Sequence, residues 1–219
     1  MPKRRDDWLA GRAAAKSVVA AALGEGASAE RVLTAIEIAA DPGGAPYARV
    51  AAEAGVLAGH PAGARLPVAV SITHAEGRAA AAAERCDVPG APAIGIDLGL
   101  VEPRSPAFVE TFFTEEEARC VRDAPPAERE LRANLVWCAK EAVLKALGVG
   151  LTVDTRQLRC LPDGADADAG AWPLSPPDAS WRPFAVRCSS SLLDRPRTLR
   201  GAWRTLPGFV LALARATVP

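Results

Sequence analysis

Trp137-Cys138-Ala139-Lys140-Glu141-Ala142-Val143-Leu144-Lys145-Ala146-Leu147-Gly148 is the stretch on which the fold turns. Its apolar spacing predicts a helix, and Gly148 supplies the stop. On that helix Trp137, Glu141 and Lys145 fall at i, i+4 and i+8, on one face, with Lys140 beside them. Val136, Val143 and Leu147 occupy another side and can enter a core. One carboxylate between two ammonium groups has two readings. It is a solvated Glu–Lys face, which helices commonly carry. Or it holds a hard cation beside a polyphosphate, since Mg²⁺ takes one or two carboxylates, waters and phosphate oxygens. Asp97, at the end of the apolar run Ala93-Ile94-Gly95-Ile96-Asp97, is the candidate for a second carboxylate; the alternative is an acid that caps a turn.

Working outward, the chain alternates helical and strand-like segments in two rounds. Residues 6–23 read as a first helix, capped by Asp6 or Asp7 and ended by Gly24. Residues 32–38 read as a strand stopped by Asp41-Pro42-Gly43-Gly44. Residues 67–74 alternate and carry β-branched residues, which predicts a strand. The Ala-rich run 78–85 favours helix by propensity but lies between strand-like neighbours, so the pattern alone leaves it open. Thr114 and Glu117 form a capping box for a following helix, and Pro126 opens the long helix that ends at Gly148. Residues 161–181 have the composition of a loop. The segments around 184–188, 199–205 and 208–216 read as strands. This is an α+β chain of two similar halves, residues 1–92 and 93–219, each a small antiparallel sheet packed with helices.

Composition narrows the function. The 219 residues are 49% hydrophobic and 24% charged, enough to bury a core. The formal net charge of +0 gives no support to nucleic-acid binding. Five cysteines without C-x-x-C spacing point to reduced thiols in a cytoplasmic setting rather than a zinc site or disulfide framework. The charged N-terminus has no apolar segment of the signal-peptide kind, and no apolar run is long enough to span a membrane. No G-x-x-x-x-G-K-[ST], H-E-x-x-H or G-x-S-x-G occurs, so nothing supports an NTPase, zincin or α/β-hydrolase.

Taken together the motifs resemble one family. Gly95-Ile96-Asp97 and Trp137-Cys138-Ala139-Lys140-Glu141-Ala142-Val143-Leu144-Lys145 are similar to the G-[IV]-D and W-x-x-K-E-[SA]-x-x-K signatures of 4′-phosphopantetheinyl transferases. Phe112-Phe113-Thr114-x-x-Glu117 stands between them as that family's F-[ST]-x-x-E stretch does. Upstream, Ser71-Ile72-Thr73-His74, Gly44-Ala45-Pro46 and the Trp8-to-Lys16 stretch resemble weaker family motifs, so the likeness runs from about Trp8 to at least Leu151. The length resembles the surfactin-synthetase-activating (Sfp-like) type, a pseudo-dimer of two α+β halves in one chain, rather than the short trimeric holo-acyl-carrier-protein synthase type. In that fold the run 78–85 is a strand.

The resemblance implies an enzyme, with roles that follow residue by residue. Asp97 and Glu141 would hold Mg²⁺ on the pyrophosphate of coenzyme A. Glu141, or a water held by the metal, would serve as base, Lys145 would contact the phosphates and assist the leaving group, and Lys140 would add positive charge nearby. Thr73 and His74 would bind the 3′-phosphate side of coenzyme A, with Arg12 and Lys16 as further phosphate contacts. The implied partner is an acyl or peptidyl carrier protein, whose serine receives phosphopantetheine; neither nucleic acid nor membrane is implied, and the pseudo-dimer implies a monomer. Two departures stand out. Gly99 occupies a position where many Sfp-like members have a third acidic ligand, which leaves that place to a water or to Glu102. Ala45 replaces the lysine of a G-K-P motif. These departures keep open a non-catalytic protein that binds coenzyme A or a carrier on the same fold.

Overall fold

The computed structural model describes residues 2–86, 94–162, 180–193 and 196–217. Helix α1 (Pro2–Ala22) opens the chain, and α2 (Glu30–Ala35) leads into β1 (Ile36–Ala40). Strands β2 (Pro46–Val50), the small hairpin β3 (Val56–Leu57) and β4 (His60–Pro61), β5 (Arg65–Ala75) and β6 (Arg78–Arg85) follow. The second half runs β7 (Ile94–Leu100), α3 (Pro106–Phe112), α4 (Glu115–Arg122) and α5 (Arg129–Leu147). It ends with β8 (Leu158–Pro162), β9 (Arg182–Cys188), β10 (Thr198–Leu206) and β11 (Phe209–Thr217). Two antiparallel sheets result, ordered β1-β2-β5-β6 and β7-β11-β10-β9-β8. The expected α+β architecture of small antiparallel sheets packed with helices is thus present. Each half has a long helix followed by an antiparallel meander, and the second half adds β7 in front. The expected boundary at residue 92 lies outside the described residues, as does most of the 161–181 loop.

The residues 32–38 are not one strand. Glu30–Ala35 form a helical turn, and the strand starts only at Ile36. Val32 reaches the core from the helix, while Ile36 and Ile38 reach it by strand alternation. Apolar residues spaced by four and by two run together here, so the change of period is hidden. Helix α1 begins four residues before the expected start. The run 78–85 is a strand because both of its faces are pressed. Ala81 and Ala83 pack with Ala15 and Val19 of α1, whereas Ala80 and Ala82 face Ile94, Ile96 and Phe209. Small side chains let a helix and a second sheet approach from opposite sides, and that packing overrides propensity.

The long helix is built as its sequence indicates. A 3-10 turn at Pro126–Glu128 feeds α5, and Gly148 closes it in the left-handed conformation at φ 73°. Thr114 and Glu117 form the capping box of α4. Helix α5 lies across β7 and β11, burying Leu135, Ala139, Ala142, Val143 and Ala146. Gly95 sets how close it comes: a Cβ there would overlap the carbonyl oxygen of Ala142 and stand 2.6 Å from the Ala146 nitrogen.

The two sheets meet where β5 and β6 touch β7. Strand β7 pairs with β11 on one side. Along its other edge, side chains of β5 replace a neighbouring strand. Ser71 Oγ accepts from the Ile96 amide and Thr73 Oγ1 from the Leu98 amide, both at 3.0 Å. The two-residue spacing on both strands keeps the hydroxyls in step with the amides, and these two edge donors are satisfied. An ion pair between Glu84 and Arg215 also crosses the junction.

Candidate active site

Along β7 the residues facing α5 are Gly95, Asp97 and Gly99. Asp97 is 8% exposed, and donors surround its carboxylate. Lys145 Nζ donates to Oδ1 at 2.7 Å, and Thr73 Oγ1 donates to the same oxygen at 3.1 Å. The Cys138 thiol hydrogen-bonds to Asp97 as well, and burial together with that carboxylate pushes the thiol well above its usual range. Lys145 also donates to the Ile96 carbonyl at 3.1 Å, so its ammonium is fixed by both a strand carbonyl and a strand carboxylate. Glu141, one turn before Lys145, is half-buried. Desolvation chiefly, and the negative charge of Asp97 next, push its carboxyl up, while Lys145 pulls it back.

Asp97, Glu141 and Lys145 line a cleft of about 420 Å³ together with Thr73, His74, Glu102 and Trp137. A second cavity of about 320 Å³ shares Ile72 and Lys145 with it. Glycine-bearing segments form its walls, Gly43–Pro46 on one side and Gly148 and Gly150 on the other. Arg65 also lines it, its guanidinium 4.3 Å from the centre of the Tyr47 ring. Lys145 therefore stands at the junction of an acidic chamber and a more apolar one.

Not every residue singled out from the sequence reaches this place. Lys140 does not. It is fully buried on another side of α5, ion-paired at 2.8 Å with Glu117, which is also fully buried. Its ammonium donates to the carbonyls of Thr155 and Leu158. Glu117 accepts from the amides of Thr114 at 2.7 Å and Cys160 at 2.6 Å. Burial raises the Glu117 pKa, against the pull of Lys140 and those amides. Adjacent helix residues point about 100° apart, so Lys140 and Glu141 serve different sides of the helix: one locks α5 to α4 and β8, the other faces the cleft.

Thr73 lines the cleft, but its hydroxyl is committed to Leu98 and Asp97, which makes it a support for the carboxylate. His74 is exposed in the lining. Arg12 and Lys16 are absent from the described linings of both cavities. Arg12 stacks 3.7 Å from the Trp8 ring centre, and Lys16 adds a weak pull to the Arg49 hydrogen bond that chiefly lowers the Glu37 pKa. Trp137 has two roles: it lines the cleft and packs edge-on against Phe108 at 5.0 Å, holding α3 on α5.

Asn134 had no sequence signal beyond being polar in an apolar stripe. It is fully buried, donates to the carbonyls of Glu102 at 2.6 Å and Glu130 at 2.8 Å, and accepts from Arg104 Nε at 2.8 Å. Arg104 in turn pairs with Glu102 at 3.1 Å. The segment after β7 is thereby pinned at the rim of the cleft.

The negative charge of buried Asp97 adds to desolvation in raising the pKa of half-buried Glu141, and the two carboxylates beside one fixed ammonium make a donor set suited to a hard divalent cation. Among the described residues no group of three or more His, Cys, Asp and Glu stands together as a metal cage. Asp97 and Glu141 are the carboxylates set beside Lys145, a number that suits Mg²⁺ completed by water and phosphate, while Glu102 lines the cleft paired with Arg104. Among the described residues no helix is long and apolar enough to cross a membrane.

No curated protein matches the sequence. Among solved structures, the chain is similar to Thermotoga maritima holo-[acyl-carrier-protein] synthase, at 18% identity and a TM-score of 0.41, over 58% of this chain and 64% of that one. It is similar to a holo-(acyl-carrier-protein) synthase from Bacillus anthracis in complex with CoA (3′,5′-ADP), at 19% identity and TM-score 0.43, over 57% and 95%. It is also similar to the Helicobacter pylori holo-[acyl-carrier-protein] synthase in complex with coenzyme A, at 18% identity and TM-score 0.42, over 57% and 99%. Residues 93–188, which carry Asp97, Glu141 and Lys145, match the family model of the 4′-phosphopantetheinyl transferase superfamily.

Proposed function

We propose that the protein is a Mg²⁺-dependent 4′-phosphopantetheinyl transferase of the single-chain, two-half type. It moves phosphopantetheine from coenzyme A to a serine of an acyl or peptidyl carrier protein and releases adenosine 3′,5′-bisphosphate. The observation that carries the reading is the meeting of Asp97, Glu141 and Lys145 in one cleft, inside the segment that matches the family model. The neighbouring cavity, with its glycine-bearing walls and Arg65, suits the nucleotide end of coenzyme A, and Lys145 suits the pyrophosphate between the two chambers. A cytoplasmic monomer fits a chain that has both halves of the site.

In this reading the serine oxygen forms a bond to the phosphorus on the pantetheine side, and the bond from that phosphorus to the bridging oxygen breaks. Glu141, half-buried at the cleft, takes the serine proton. Lys145 offsets charge on the departing phosphate. Thr73, Cys138 and Lys145 hold Asp97 in place. Mg²⁺, when held by Asp97 and Glu141, supplies charge neutralisation at the pyrophosphate. His74 is left as the solvent-side contact for a phosphate, and Lys140 is a structural ion-pair residue.

Intact mass spectrometry tests the reading. Apo acyl and apo peptidyl carrier proteins are each incubated with the protein, coenzyme A and Mg²⁺. A gain of one phosphopantetheine, abolished by EDTA and by Glu141→Ala, is expected. Coenzyme A binding without any gain on either carrier would replace this reading with the non-catalytic binder, to which Gly99 and Ala45 already lean.

A further inference from the structure

Position 99 is the third residue of β7 that faces α5, after Gly95 and Asp97. A Cβ on Gly99 would lie 2.5 Å from Cys138 Sγ, and the next neighbour, Val210 Cγ1, is 3.9 Å away. The thiol alone therefore fills this place; beyond it Gly99 borders the cleft. Cys138 is fully buried. The same sulfur hydrogen-bonds to Asp97. One side chain thus steadies a carboxylate and closes the position two residues further along the strand.

We infer that Gly99 and Cys138 are a matched pair that limits the cation site to the two carboxylates of Asp97 and Glu141, and that the site accepts a third carboxylate at 99 only when the sulfur is removed. This rests on the reading of Asp97 and Glu141 as cation ligands. Strand alternation aims a side chain at 99 to the same face as Asp97, and the thiol collision is what stops an acid from being accommodated there.

The test is a double-mutant cycle read by Mn²⁺ binding, followed by the electron paramagnetic resonance signal of free Mn²⁺, and by thermal unfolding without metal. Gly99→Asp alone should lower Tm and leave Mn²⁺ affinity no tighter than wild type. Cys138→Ala alone, which also takes a hydrogen bond from Asp97, should bind Mn²⁺ no tighter than wild type, and it is the reference for the double variant. Gly99→Asp/Cys138→Ala should regain most of the lost Tm and bind Mn²⁺ roughly tenfold tighter or more, as an added carboxylate ligand implies. Should Gly99→Asp not fold, Gly99→Ala reads the same collision: Tm should fall in the wild-type background and not beside Cys138→Ala. Equal tightening by Gly99→Asp with and without the thiol would overturn the inference, as would, where the wild type binds, a double variant no tighter than Cys138→Ala. Absence of Mn²⁺ binding by the wild type would sink the cation reading itself, and the inference with it.

Discussion

Gly95 offers the most direct test of how the site is assembled. The helix that carries Glu141 and Lys145 rests on the backbone of β7 at this glycine. A Cβ would overlap the Ala142 carbonyl oxygen and stand 2.6 Å from the Ala146 nitrogen, whereas ordinary contact begins at 3.4 Å. From 2.6 to 3.4 Å is about 0.8 Å, the least that the helix must retreat in Gly95→Ala. Both opposing atoms are main chain, so no rotamer change relieves the overlap. Overpacking of this kind costs about 3 kcal/mol or more. The same retreat stretches the 2.7 Å bond from Lys145 to Asp97 toward the limit of a hydrogen bond. Misplacement by about 1 Å costs roughly 100-fold in rate when positioning is the source of catalysis. Urea unfolding gives the stability change, and phosphopantetheine transfer by mass spectrometry gives the rate. A Gly95→Ala variant within about 0.5 kcal/mol of wild type and within twofold in rate would refute the claim that this contact sets the geometry.

Lys140→Met strands a buried carboxylate, so chemical denaturation should show a loss of about 3–5 kcal/mol, with much of it returned by Lys140→Met/Glu117→Leu; a loss that the second change does not reduce would contradict the pairing. Glu141→Gln should be more stable than wild type near pH 7.5 without metal, by on the order of 1 kcal/mol for each unit of raised pKa. The sign follows from a folded pKa above the unfolded one. The fold holds that proton more tightly, so wild type loses stability as pH rises above the ordinary glutamate range, and the advantage of the glutamine should vanish below it. Thermal scans across pH check this, and an advantage that persists at pH 4 would argue against it. Arg65→Ala should raise KM for coenzyme A several-fold with little change in kcat, since the guanidinium lines the second cavity away from the reacting carboxylates; an equal fall in kcat would place it at the reaction instead.

The sequence carries the site's core through local periodicity. Trp137, Glu141 and Lys145 share a helical face, and Asp97 sits on a strand whose alternating glycines announce a close neighbour. The side that Lys140 faces is not local information, because one residue of helix advance separates a cleft from a core, and a lysine's charge does not say which it meets. Only the tertiary partner Glu117, twenty-three residues earlier, decides it. Ser105-Pro106, a cap followed by proline at the first turn, marks the start of α3, a helix too short for periodicity to reveal and absent from the sequence reading. Strands β2 and β8 lack strong alternation, and their existence depends on the neighbours with which they pair. The strand character of 78–85 likewise comes from two packing partners far along the chain, which no local window contains.

The hydroxyl seam between the halves divides evolutionary freedom unequally. On the β7 side the donors at Ile96 and Leu98 are main-chain amides, which every residue except proline provides. On the β5 side the acceptors are the side chains of Ser71 and Thr73, which only a few residue types can replace. Drift in the second half can therefore exchange one apolar residue for another at 96 and 98 without consulting the first, while the first half is tied to hydroxyls at two alternate positions. Sequences that descend from a common ancestor would record this as variable apolar identity on one strand facing a sparse, fixed alphabet on the other.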